Sequence, residues 1–193
     1  MVSEADLFNL EDPNSVIRKL VVNKESMDLR ELAQRRIPIP QSYDSKKEFN
    51  ILTGDSKEIS SLVQEDIKKF VHEGYPDNIY TPIYEAVLNA HQHGNKRDSN
   101  KKVRFAYNIS ESHLDILIED EGGIIDSIFV PFILKHREFG VKENFIDFYI
   151  FSGKEKPQSN NGTGTSFMHA YMDEVNYYLG ENGLMVHMVK NKT

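Results

Sequence analysis

The chain has 193 residues and a formal net charge of −7, the length of one domain with an appended arm and a balance that argues against direct nucleic-acid binding. It contains no cysteine, which excludes a disulfide scaffold, a zinc knuckle and a thiol nucleophile. No apolar run approaches the ~18–20 residues that span a bilayer, and the acidic start MVSEADLFNLEDP lacks the regions of a signal peptide, so a cytoplasmic protein without membrane contact is expected.

Residues 1–46 read as an N-terminal arm of unknown role. Helical patterns at 15–22 and 27–34 are broken by the two prolines of RRIPIPQSYDS. Apolar residues such as Leu7, Phe8 and Leu10 are too many for a solvated tail and too few to fold alone. They must be covered by the chain's own domain, by the partner, or by a second copy, which leaves a homodimer open.

From residue 47 onward the signals describe one domain. EFNILT (48–53) is a short strand. A helix follows, with Asp55 and Glu58 as a capping box and Gly74 and Pro76 as its stop; Ile59, Leu62, Val63, Ile67, Phe70 and Val71 fall at helical spacing on one face. A second helix takes Thr81 as N-cap and Pro82 at its first position, runs to about His93, and turns Ile83, Val87 and Ala90 to the core. KVRFAYNIS and HLDILIED alternate with period two and form a hairpin. The stretch at about 126–161 is long and broken by glycine and proline, the mark of a lid or of a disordered segment, and a lid is expected here. GTGTSFMHAYMD opens a short helix, and EVNYYLG with GLMVHMVK closes the chain as a second hairpin. This order predicts an α+β two-layer sandwich, a mixed, mostly antiparallel sheet with helices on one face.

Three places carry chemistry. Glu85, Asn89 and His93 stand at i, i+4 and i+8, one polar stripe of the second helix. A carboxylate suits proton abstraction and an amide oxygen suits Mg²⁺, although a solvated helix face has the same spacing. Asp120 lies in phase with Leu114, Ile116 and Ile118, so it points to the core side, where a carboxylate needs a partner. A nucleobase amino group is one such partner and a capped turn is another. Gly122, just beyond it, permits close approach of a flat ligand. Gly162, Thr163, Gly164 and Thr165 open a helix whose first N–H groups suit an anion, although any loop-to-helix turn can show GxG.

In this order the three places resemble the boxes of the GHKL ATPase superfamily, with its histidine-kinase-like ATPase fold, and within it the anti-sigma-factor serine/threonine kinases. EAVLNAHQHGN is similar to their N-box, IEDEGG to the adenine box, and GTGTSFMHAYMDEVNY to the last glycine box with the passage after it. The resemblance implies Glu85 as base and Asn89 as Mg²⁺ ligand. It also implies Asp120 as reader of the adenine amine, and ATP and Mg²⁺ as ligands. His93, Gly122, Gly162, Thr163, Gly164 and Thr165 complete the implied nucleotide site. The implied activity is phosphorylation of a protein antagonist together with sequestration of a sigma factor. An ATP-binding switch without kinase activity is the alternative. A histidine-kinase catalytic domain is a third reading, disfavoured because residues 1–46 contain no histidine. Two features depart from the family. Ile124 stands where the adenine box usually has its last glycine, and the lid is unfamiliar, its basic residues being Lys135, His136, Arg137, Lys142, Lys154 and Lys156. None of the boxes lies in the arm, so nucleotide affinity is expected to survive its removal.

Overall fold

A computed structural model describes residues 6–8, 27–28, 36–138, 145–157 and 161–192. Its strands are β1 (Met27–Asp28), β2 (Ser45–Asn50), β3 (Lys102–Ile109), β4 (His113–Glu119), β5 (Ile124–Ile125), β6 (Glu174–Leu179) and β7 (Leu184–Asn191). The helices are α1 (Ser56–His72), α2 (Tyr80–Asn89), α3 (Phe129–Glu138), α4 (Phe148–Ser152) and α5 (Gly164–Tyr171).

Five strands form an antiparallel sheet in the order β2-β3-β4-β7-β6. Among the described residues the parallel component is a single bridge between Ile37 and Gly180. Period-two alternation sets the two faces. Phe105, Leu114, Ile116, Ile118 and Met188 join one core with Ile59, Val63, Ile83, Val87 and Met168 of the helices. Ala106, Leu117 and Met185 face the other way and are covered by Tyr43, Ile37 and Ile39. The architecture is thus α+β, with the helices on one face.

Several boundaries differ from expectation for local reasons. β2 begins at Ser45 and ends at Asn50 rather than running through residues 48–53. It stops because the amides of Leu52, Thr53 and Gly54 leave the sheet and donate to the Glu58 carboxylate, at 2.7–2.8 Å. Asp55 caps α1 by accepting from the Glu58 amide at 2.9 Å. Glu58 reaches past the cap to that loop instead of closing a reciprocal box, and the donated bonds lower its pKa to about 2 despite partial desolvation.

Thr81 is not an N-cap. A 3₁₀ turn at Asp77–Ile79 runs straight into α2, so the chain is already helical one turn before Pro82. The helix then widens at Ala90–Gly94 into a π turn, an irregularity common at functional sites. At Met27–Asp28 the chain is strand rather than helix, because its backbone pairs antiparallel with Ile124–Ile125. The other residues of the two helical patterns in the arm lie outside the described residues. The stretch at about 126–161 is not irregular throughout: α3 buries Val130, Phe132 and Ile133 in the core, and α4 is capped by Asp147. Among the described residues no helix is long and apolar enough to cross a membrane.

Candidate functional site

A cavity of about 370 Å³ opens between α2, α5 and the ends of β4 and β7. Its floor follows from register. Ile118 of β4 pairs with Val186 of β7, which pairs with Tyr177 of β6, and all three line the cavity. They make a flat apolar row across the sheet. Asp120 and Leu184 extend it by two residues, and the Asp120 amide donates to the Leu184 carbonyl at 3.1 Å. Asn89, His93, Asp120, Gly162, Gly164 and Thr165 all line this cavity. Glu85, Gly122 and Thr163 are not among the lining residues, but Glu85 abuts Gly164, Gly122 abuts Gly94, and Thr163 joins Gly162 to Gly164, all of which line it.

Asp120 is 4% exposed. Its Oδ1 accepts from the amides of Gly122 (2.9 Å), Gly123 (3.2 Å) and Leu184 (3.3 Å). Its Oδ2 is turned to Gly94, where an added Cβ would stand only 2.2 Å away. Burial pushes its pKa up to about 6, against those three bonds, which pull it down. Gly94 and Gly122 touch so closely that a Cβ on Gly122 would fall 1.6 Å from the Gly94 carbonyl oxygen. This contact locks the π turn onto the end of β4.

Asn95 makes the same join by hydrogen bonds. Fully buried, it accepts from the Glu121 amide at 2.7 Å and donates to the Lys102 carbonyl at 2.9 Å. Sequence reasoning gave Asn95 no role, although it is the last residue of the first box. The two residues after it, Lys96 and Arg97, have left-handed backbones with φ of 57° and 61°. That costly conformation carries Lys96 to the cavity lining.

Glu85 is half-buried one turn before Asn89, and burial raises its pKa. Its Oε2 lies 2.2 Å from where a Cβ on Gly164 would sit, so the missing side chain lets the first turn of α5 press against this carboxylate. Thr163 precedes α5 as its N-cap residue without a side-chain capping bond, and Thr165 is buried. His93 is exposed and lines the cavity. Desolvation by the surrounding walls, with Lys96, Arg97 and Lys154 nearby, lowers its pKa to about 4. His91 points the other way, buried against Gly54.

Of the basic residues in the stretch 126–161, Lys154 lines the cavity and pairs with Asp126. Lys156 pairs with Asp147 and Arg137 with Asp6. His136 is buried, its ring nitrogens bonded to the Phe132 carbonyl and to Ser166 Oγ. Lys142 lies outside the described residues.

The family model of the histidine kinase-like ATPase domain matches residues 70–190, well over half of the chain. The chain belongs to this family. Among curated proteins, serine-protein kinase RsbW of Bacillus subtilis (strain 168) is 28% identical over 114 residues, 59% of this chain and 63% of that protein. The chain thus spans less than two thirds of this relative's length. In this histidine kinase-like ATPase domain the matched stretch begins within α1. Residues 6–8 and 27–28 and strand β2 all lie before it. The position of Ile124, unusual for the superfamily's glycine pattern, is that of a strand residue paired with Asp28.

Proposed function

We propose that the chain is an ATP-dependent serine/threonine protein kinase that acts as an anti-sigma regulatory factor in the cytoplasm, modifying a protein antagonist and sequestering a sigma factor. The observation that carries the reading is the carboxylate of Glu85, basic through burial and seated against Gly164 beside the cavity. The kinase reading gives this carboxylate a role, that of the base for the acceptor hydroxyl. Family membership supports ATP as the ligand, and the name of the relative supports a protein-serine acceptor.

The cavity suits a nucleotide on its own terms. The apolar row Ile118–Val186–Tyr177 offers a flat seat for a base, and Asp120 Oδ2, left over by three bonds to Oδ1, is an acceptor for an amino group. The helix start at Gly164 and the ammonium groups of Lys96 and Lys154 suit a phosphate chain. Asn89, one turn from Glu85 on the cavity wall, is placed to hold Mg²⁺, a hard ion that accepts amide oxygen. Mg²⁺ would supply charge neutralisation on the phosphates. In the transfer, Glu85 takes the proton of the acceptor hydroxyl. The hydroxyl oxygen forms a bond to the γ-phosphorus as the bond to the β,γ-bridging oxygen breaks, and ADP leaves. The nucleotide-dependent switch remains a second reading, favoured by Ile124 in the altered glycine box.

Titration calorimetry with ATP tests the site. Wild type should bind more tightly with Mg²⁺ than without it, and Asn89→Ala should lose that gain while keeping its Mg²⁺-free affinity. Identical curves for the two proteins remove Asn89 from the metal site.

The lid role, assigned to residues 126–161, falls chiefly on the described part around α4, since α3 is held in the core. Lys154 is its cation. Lys154→Ala should weaken ATP about fivefold, ADP less and adenosine not at all, by loss of a charge-assisted contact to phosphate. Cleavage at Lys154 and Lys156 by trypsin should slow with Mg-ATP. Equal losses for all three ligands place Lys154 away from the phosphates.

A further inference from the structure

Residues 6–8 reach the far side of the cavity. Asp6 and Leu7 pair with the edge strand at Tyr177: the Leu7 amide donates to the Tyr177 carbonyl at 2.7 Å, and Asp6 Oδ1 accepts from the Tyr177 amide at 3.1 Å. The same Oδ1 accepts from the Phe8 amide at 3.0 Å, and Asp6 is ion-paired with Arg137, whose guanidinium lies 5.8 Å from the centre of the Phe8 ring. Phe8 is 2% exposed. Its ring packs edge-on to Tyr177 at 5.0 Å and to Phe129 at 6.1 Å. Tyr177 and Phe129 are themselves cavity walls, and Tyr177 ends the apolar row that starts below Asp120. A second part of the same segment, Met27–Asp28, pairs with Ile124 and Ile125, which also line the cavity.

We propose that residues 6–8 and 27–28, outside the stretch matched by the family, are part of the ligand site, with Phe8 the positioning residue that fixes the base end of the cavity. The inference rests on the nucleotide reading of the site. It departs from the expectation that affinity survives loss of the arm: the boxes lie elsewhere, but two walls of their cavity are backed by residues 6–8 and 27–28. Aromatic rings in edge contact hold one another in a preferred geometry, and a wall that must be ordered by the ligand costs affinity. Tyr177 and Phe129 also pack edge-on to each other at 5.9 Å, and the Tyr177 hydroxyl is bonded to His169 Nε2 at 3.3 Å. Removing the Phe8 ring therefore takes away one side of their support rather than all of it. The loss then falls on the base end and is blind to the number of phosphates, unlike the loss expected for Lys154→Ala.

The experiment compares Mg-ATP and adenosine binding to wild type, Phe8→Ala, Phe8→Leu and Asp6→Ala in the full chain, with circular dichroism and a thermal melt of each. Phe8→Ala should weaken ATP and adenosine by the same factor, about tenfold, the equivalent of one lost aromatic contact with its packing. Phe8→Leu should restore most of the affinity. Asp6→Ala, two residues before the ring and partly open to solvent, removes the tether rather than core volume and should fold even where Phe8→Ala does not; it should weaken both ligands about threefold. If the folded variants bind both ligands within twofold of wild type, the segment is only a brace and the inference is wrong. If phosphate number governs the loss, Phe8 does not act at the base end and the inference fails likewise. Absence of ATP binding by wild type overturns the nucleotide reading itself, and this inference with it.

Discussion

Glu85→Gln is expected to lower phosphotransfer to the cognate protein acceptor by ~10²–10⁴, the range for removal of a general base, while ATP affinity stays within about twofold. Glutamine keeps the volume that packs on Gly164, so the nucleotide wall is undisturbed and the deficit belongs to proton transfer. Burial raises the Glu85 pKa above its ordinary value. The base acts in its ionised form, so the rate should rise with pH through that elevated pKa, and the acidic limb should lie above the usual carboxylate range. In Glu85→Gln this limb should vanish. Single-turnover transfer of ³²P from labelled ATP, followed across pH, measures both effects. Equal rates for the two proteins show that Glu85 is not the base. Failure of wild type to phosphorylate any acceptor co-purified from its host selects the switch reading.

Local signals carried much of the architecture, and the limits of those signals explain the misses. The hairpins were legible because their strands are long enough to show period two, and the inward direction of Asp120 followed from the phase of Leu114, Ile116 and Ile118. Asp55 was legible as a cap because a side chain three residues from its target is a local event. Strand β1 has two residues and no period to read; its partner is almost a hundred residues away. The burial of Leu7 and Phe8 depends on Tyr177, at the other end of the chain. The fit of Gly94 to Gly122 and of Gly164 to Glu85 is a contact between backbones and side chains that no single segment encodes. Lys96 was missed because its cavity position depends on a left-handed turn, which sequence pattern does not announce for lysine or arginine. At Pro82 a true local rule misled: proline marked the first turns of a helix, but the preceding 3₁₀ turn moved the start upstream.

Asp120→Asn should separate binding from stability, with effects of opposite sign. Asparagine retains one carbonyl oxygen for the amides of Gly122, Gly123 and Leu184, so the loop keeps its shape. The position of Oδ2 becomes an NH₂ group. Facing the amino group of adenine it sets donor against donor, in a buried place where neither finds water, and ATP affinity should fall by about 10² or more. Stability should move the other way. The folded pKa of Asp120 is raised from 3.8 to about 6 by burial, so the folded state holds this proton more tightly than the unfolded chain. The favourable contribution of the protonated form is complete below the unfolded value and is lost as pH rises through about 6. Above that, the buried charge costs on the order of 3 kcal/mol. Asp120→Asn does not bear that cost. Its melting temperature should exceed that of wild type at pH 8, with the difference shrinking toward pH 4. The same titration reaches the ligand: the ionised fraction of Asp120 drops about tenfold from pH 7 to pH 5, and wild-type ATP affinity should drop with it, while the residual affinity of Asp120→Asn should show no such step. Melts of both proteins at pH 4 and 8, beside ATP titrations at pH 5 and 7, decide the matter. A variant that binds ATP like wild type, or that melts lower at pH 8 than at pH 4 relative to wild type, means that Oδ2 is not the acceptor for the base and that the buried charge is compensated by some other group.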